Sequence, residues 1–473
     1  ESIINYKGMD IIRNIKIICF LSFGFIYGQS DEEKIVECKQ NLSIFSESAK
    51  IKNYDAAYDT WKAVLEACPD LHLAIYTYGE KILKHKIKTA QVSDKKAITE
   101  NLLSLYDKWL IYFPKKRGVS RVGSILSTKA QALIDYKMAD NATIYDVFDQ
   151  AYKKDVSSFT NPKGLYNYFD TLYKLYKSGD SGVTMENLFN KYEEISEKFE
   201  RESIKLAKKL DIILIKEEEG TPLSKKETKN KRVYEVNSKA IGAFKSNLDI
   251  IIALEATCKN LIPLYKGNFE KNSNDALWLK RAASRMDSKE CSDDPFFVTL
   301  VEALHNLEPS ADSAYYLGLL NDKSGNSKEA LRYYEESISL ETDRYKKAKI
   351  LYKIAVKFKK SGRKSQSRSY AQKALRNQPS MGRAYLLIAS LYANSANDCG
   401  DTQFNKRAIY WLAADIARKA GRVDASVKKL STKTAKSYMG RAPSKTDIFT
   451  EGNEGSMIKF NCWVGASVKV PKL

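Results

Sequence analysis

The chain has 473 residues, 43% of them hydrophobic, with only 22 Gly and 10 Pro. That composition excludes a disordered or collagen-like polymer and leaves two or three ordinary domains or one elongated array of helices. The balance of 78 Lys+Arg against 58 Asp+Glu gives a net charge of +20, yet both signs are spread along most stretches, as on solvated helix faces.

Met9 opens the run MDIIRNIKIICFLSFGFIYGQS, with Arg13 and Lys16 ahead of an apolar core from Ile17 to Tyr27. Eleven apolar residues are too few for a bilayer, which needs roughly 20. A basic start, a short apolar core and a small residue at Gly28 predict a secretory signal peptide over residues 9–29, cleaved near Gly28 or Ser30. A buried N-terminal helix is the alternative. Residues 1–8 then lie upstream of the initiator. Cys19 does not suit lipid attachment, because Lys16, Ile17 and Ile18 precede it.

Six cysteines follow: Cys38, Cys68, Cys258, Cys291, Cys399 and Cys462. An even number fits a disulfide framework in an oxidising compartment. Cys38 precedes a helix predicted near 39–51, and Cys68 ends the next, near 54–67. A helical hairpin places those two ends side by side. The same argument pairs Cys258 with Cys291, and Cys399 with Cys462 remains by elimination; a reduced, buried set is the alternative. No CxxC, no zinc-like Cys/His spacing and no two of His72, His85 and His305 on one helical face are present, so neither metal nor cofactor is expected.

Helical segments continue through NATIYDVFDQAYKKD and GLYNYFDTLYKLY. The string SGDSG at 178–182 is similar to a serine-protease nucleophile segment, but it sits between helices in a chain without the required β-rich setting and reads as a connector. HExxH, phosphate-loop and paired-glycine motifs are absent from the sequence, so no catalytic residue is assigned. From Met185 to Lys216 apolar residues recur at helical steps, and a second long helix carries Val233, Val236, Ile241, Phe244, Leu248 and Ile251. The two predict a long hairpin over 184–258 that projects from its neighbours, with a mobile basic loop at 217–232.

Beyond a divergent unit at 259–310 lies DSAYYLGLLNDKSGNSKEALRYYEESISLE, residues 312–341. It resembles the tetratricopeptide (TPR) repeat through Leu317, Gly318, Gly325, Ala330 and Tyr334. Gly318 and Ala330 are small enough for two helices to approach, while Leu317 and Tyr334 fill the gap. Further units carry Ile354, Ala355, Phe358, Ala371 and Pro379, then Ala384, Ile388, Ala389 and Tyr392, at a period of about 34 to 37 residues. In the same register, KNYDAAYDTWKAVLEACP places Ala57 at the small position, Trp61 at the aromatic one and Pro69 at the end. ITENLLSLYDKWLIYFP repeats it with Tyr106, Trp109 and Pro114. After APSKTD, the alternating SMIKFNCWVGASVKV predicts a β-hairpin that caps the array.

The chain as a whole resembles an exported TPR protein of the Bacteroidota type. The expected fold is all-α: a TPR-like α-solenoid of antiparallel helix pairs with a long central helical hairpin and a short C-terminal β-hairpin cap. The expected divisions are N-terminal repeats over 30–183, the hairpin over 184–258, a divergent repeat over 259–310, C-terminal repeats over 311–422 and a capping tail over 423–473. The resemblance implies a peptide groove on the first helices of the C-terminal repeats, lined by Tyr315, Leu319, Lys349, Tyr352, Lys353, Val356, Lys359, Arg383 and Leu386. Leu319 and Lys353 stand where a chaperone-binding clamp has asparagines, which argues against chaperone tails. The expected role is a non-enzymatic scaffold for another cell-envelope protein, exported to the periplasm or outer membrane of a Gram-negative bacterium. The second reading is an electrostatic binder of an anionic polymer or membrane surface; no specific nucleic acid is expected.

Overall fold

A computed structural model describes residues 31–179 and 182–473. The expected signal segment, residues 1–8 and part of SGDSG lie outside the described residues. Among the described residues, twenty α-helices account for the fold, with two two-stranded sheets. The chain divides into two compact units, the first ending at Phe159 and the second beginning at Thr160.

In the first unit, α1 (Asp31–Lys50) packs on α2 (Tyr54–Ala67), α3 (Ala74–Thr89) on α4 (Val92–Tyr112), and α5 (Val122–Asp135) on α6 (Asn141–Asp155). Cys38 falls inside α1, two turns from its start, rather than ahead of it. Asn53 and Asp140 cap α2 and α6 by accepting from backbone N–H groups that the first turn leaves unpaired. Trp61 is buried, and its indole N–H donates to the Ile75 carbonyl at 2.7 Å. Gly79 makes that seat: a Cβ there would stand 2.6 Å from the Trp61 ring. Phe45, Tyr76, Tyr106 and Trp109 complete the core.

The second unit begins with α7 (Pro162–Ser178), which the sequence places with the N-terminal repeats. Here it packs on the long hairpin, through Tyr166 with Phe244 and Phe169 with Tyr192. The hairpin is α8 (Met185–Glu218) and α9 (Lys225–Ala253). Each starts with a capping box, Thr184 with Asn187 and Ser224 with Glu227. The expected basic loop at 217–232 is largely helix: the connection spans only 219–224, because the Ser224 box starts α9 early. Ion pairs of Lys216 with Glu227 and Lys231 with Glu217 close it.

Then come α10 (Cys258–Asn272), α11 (Ala276–Ser288) and α12 (Phe296–Leu307), followed by the repeats proper. These are α13 (Ala311–Lys323) with α14 (Ser327–Leu340), α15 (Arg344–Lys360) with α16 (Lys364–Asn377), and α17 (Gly382–Ala393) with α18 (Gln403–Val423). A Cβ on Gly318 would lie 2.5 Å from the Tyr334 ring, so the first pair closes only around glycine. Buried serines join paired helices: Ser337 donates to the Ala311 carbonyl, Ser367 to Ala355 and Ser431 to Ala417. Each bond satisfies a hydroxyl that burial would otherwise make costly. After α19 (Lys428–Met439) and α20 (Lys445–Glu451), an antiparallel pair aligns Met457 with Lys469 and Lys459 with Ser467. Trp463 from its loop donates to Ser395 at 3.1 Å and lies under the Arg368 guanidinium.

Trp61→Ala should lower stability by about 3–5 kcal/mol in urea unfolding, and Trp61→Phe, which loses chiefly the bond to Ile75, by only about 1 kcal/mol. The Lys216 hydrogen bond, with bonds from Ser224, holds the Glu227 carboxyl down to about 2. Its contribution is therefore complete above the ordinary value of 4.5 and is lost as pH falls through about 2. An NMR titration of Glu227 should show that midpoint, and Lys216→Met should move it upward.

Candidate functional site

The site is built on the acidic side of α8. Glu193, Glu197 and Glu200 recur at steps of four and three, which puts them on one helical face. Glu193 pairs with Arg285, Glu197 accepts both Nε and Nη2 of Arg281 at 2.9 Å, and Glu200 pairs with Lys349. Arg285 is 3% exposed, and its guanidinium lies 4.6 Å from the Phe189 ring and 5.0 Å from that of Tyr192. Burial alone would raise the Glu200 carboxyl, but the charge and hydrogen bond of Lys349, with the charges of Lys245 and Lys353, together hold the group below its usual range.

Further along α8 the buried Asp211 accepts from the Tyr345 hydroxyl and the Ser380 backbone N–H, both at 2.9 Å. Leu210 and Leu214 pack with Val423 and Tyr385. The hairpin therefore does not project. Its acidic helix lies along the inner face of α11, α15 and α17, where the sequence leaves an open groove.

This placement separates the nine residues assigned to that groove. Tyr315 and Leu319 are 1% and 3% exposed and form the floor of their repeat, with the Tyr315 hydroxyl reaching Asp287. Lys349 is engaged by the hairpin, and Lys353 lies over the Tyr315 ring at 5.1 Å. Lys359 donates to Ser390. Tyr352 and Val356 are half-buried and Arg383 is exposed. Leu386 packs instead on the alanine-rich seam of Ala389, Ala414, Ala417 and Ala435. Sequence reasoning missed Arg281, Arg285, Lys245 and Asp211. The period of Glu193, Glu197 and Glu200 was the available signal, and it reads equally as a solvated face.

The six cysteines meet in pairs. The sulfurs of Cys38 and Cys68 are 2.17 Å apart, those of Cys258 and Cys291 2.13 Å, and those of Cys399 and Cys462 2.05 Å. Among the described residues, no group of three or more His, Cys, Asp or Glu is placed to hold a metal ion, and no helix is long and apolar enough to cross a membrane.

A cleft of about 1030 Å³ opens between the hairpin tip and α18–α19. Leu214, Val423, Ala435 and Met439 supply its apolar surface. Arg422, Lys428 and Lys436 are exposed along it and have no acidic partner among the described residues. Of its acids, Glu217 and Glu218 are already paired, with Lys231 and Lys419, and Glu235 offsets only one of the three free cations. The cleft thus offers an apolar floor under surplus positive charge.

Fold and site together define an all-α protein of TPR-like helix pairs. No family model matches the chain. The photosystem I assembly protein Ycf3 of Prochlorococcus marinus subsp. pastoris is 28% identical over 145 residues, which are 28% of this chain and 84% of that protein. Ycf3 of Cuscuta gronovii is 30% identical over 110 residues, 21% of this chain and 66% of that protein. Among solved structures, a tetratricopeptide repeat protein from Parabacteroides merdae aligns over 66% of this chain and 97% of its own, with 10% identity and a TM-score of 0.23. Yeast Tom70 aligns over 89% and 83%, with 13% identity and a TM-score of 0.25.

Arg285→Met should strip the half-buried Glu193 carboxylate of its buried partner and cost about 3 kcal/mol. Lys349→Ala, at an exposed pair, should cost less than about 1 kcal/mol. Urea unfolding measures both, and hydrogen exchange should show faster exchange along α8 in Arg285→Met alone.

Proposed function

We propose that this chain is a non-enzymatic, extracytoplasmic TPR scaffold of a Bacteroidota-type cell envelope, and that it binds an acidic amphipathic segment of another envelope protein. The observation that carries the reading is the cleft beside α18 and α19. Apolar residues there lie beneath three cations that have no partner within the chain, while the inner groove already holds α8. A helix with acids along one edge and apolar residues on the next face matches that surface. Binding would act through shape and charge, with no bond made or broken. Relatives named as photosystem I assembly proteins match part of the chain, in line with a role in bringing proteins together. The compartment is proposed from the signal-like segment at 9–29 and from three sulfur pairs that an oxidising environment would keep joined.

A photo-crosslinking residue at Met439 should capture a peptide of an envelope protein that is net acidic and apolar at helical spacing. The triple change Arg422→Glu, Lys428→Glu and Lys436→Glu should reduce capture by roughly tenfold or more. Capture of basic or featureless segments, or capture indifferent to the charge reversal, would overturn the assignment. The mature chain purified from its own cell should also show six blocked thiols before reduction; free thiols would count against the compartment.

A further inference from the structure

Beneath the hairpin, separate from the open cleft, lies a cavity of about 510 Å³ between α8–α9 and the inner face of α11, α13 and α15. Its acids are all engaged. Glu193, Glu197 and Glu200 take Arg285, Arg281 and Lys349; Asp287 takes Lys357 at 2.7 Å and Asp312 takes Lys280 at 2.6 Å. The sixth, Glu341, accepts from the Asp343 backbone N–H. Three half-buried cations are then left over. Lys245 reaches the cavity from the hairpin, Lys353 from α15 and Lys289 from just past α11, and none of their ammonium groups has a hydrogen-bonding or ion-pair partner among the described residues. Arg201 and Lys346, both exposed, add positive charge to the lining.

Unpaired ammonium groups in a packed interface carry a desolvation cost and feel repulsion from nearby cations. Burial holds the Lys353 ammonium below its ordinary range, and the Lys349 charge lowers it further, while Asp312, Asp287 and Glu200 oppose the shift without cancelling it. Burial also lowers Lys245; Asp249 opposes this, while Lys349 and Arg383 add to it. Lys349 and its partner Glu200 thus bear on both, which places the three lysines around one carboxylate in a single electrostatic neighbourhood. A single anion lodged among them would relieve all of these costs.

We infer that this cavity is a binding site for a small molecule bearing a tetrahedral oxyanion, a phosphoryl or sulfuryl group, held by Lys245, Lys349 and Lys353. The chemistry of the free donors selects the class. The half-buried unpartnered groups are all lysines, compact point charges that suit a tetrahedral oxyanion from several directions; of the planar forks that match carboxylates, Arg281 and Arg285 are already occupied and Arg201 is exposed. The volume falls in the range of small-molecule sites, about 300–1,000 Å³, and exceeds what a lone phosphate fills. Because its ligands come from both the hairpin and the repeats, the bound anion pins α9 to α15. This site goes beyond the proposed scaffold role and does not depend on it.

The test is calorimetric titration of the full mature chain with inorganic phosphate, pyrophosphate, sulfate and citrate, each against chloride at matched ionic strength. Pyrophosphate should bind with one-to-one stoichiometry and more tightly than phosphate or sulfate. Lys245→Met and Lys353→Met should each weaken it by roughly tenfold or more. The exposed Lys429→Met, outside the cavity, should leave binding unchanged. Both cavity changes remove an unpaired half-buried charge, so the unliganded variants should unfold at or above the parent temperature. No binding beyond the chloride control, binding indifferent to the two cavity variants, or citrate binding as tightly as pyrophosphate through the same lysines would each overturn the assignment. Retention in the variants of whichever of phosphate or sulfate binds would mark surface charge as its source.

Discussion

The second unit depends on how one helix buries its acids. Helix α8 carries Glu193 and Asp211 into an interface where an unmatched carboxylate would cost several kcal/mol, with Glu197 and Glu200 more open to solvent. Each is met: two by guanidinium groups from α11, one by Lys349, and one by Tyr345 together with the Ser380 amide. These donors come from separate repeats. Their positions along α8 therefore fix the spacing and tilt of the repeats at the same time as they fix the helix. Attraction within such pairs scarcely exceeds the cost of drying them, so the arrangement contributes specificity of seating more than net stability.

Repeat proteins present an inner face that is free for partners when every unit contributes only to its neighbours. Here a long insertion from the same chain occupies that face. The consequence is a division of labour across the second unit. Tyr315 and Leu319 serve the core of a repeat, Arg281, Arg285 and Lys349 serve the hairpin, and surplus charge without internal use is left in two places, beside α19 and under α9.

The repeat core was legible because steric need writes itself into residue size. Gly318 opposite Tyr334, Ala57 ahead of Trp61 and the buried Ala371 are where spacing puts them. The long hairpin was legible from its apolar period, and the terminal strand pair from alternation. What lay on the hairpin was not. An acidic stripe at helical spacing has the same pattern whether it faces water or a row of arginines, and the answer lies in residues some ninety positions away, at Arg281 and Arg285. The turn at 219–224 was misread for a local reason: KKETKNK looks like a charged loop until Ser224 and Glu227 are seen as reciprocal caps. Asp211 left no local signal, since both of its partners are far along the chain.

The three sulfur pairs enclose residues 38–68, 258–291 and 399–462. None of these rings contains the hairpin, and none ties it to the repeats on which it rests. No sulfur pair staples the hairpin, which is held to its seat by ion pairs, a buried aspartate and buried apolar residues such as Ile195, Phe199, Leu248 and Ile252. Like the repeats of α13–α16, it lies outside every ring that the sulfur pairs close. Ionic strength and competing charge would act on its ion pairs, and its seating would be restored without reshuffling a covalent bond.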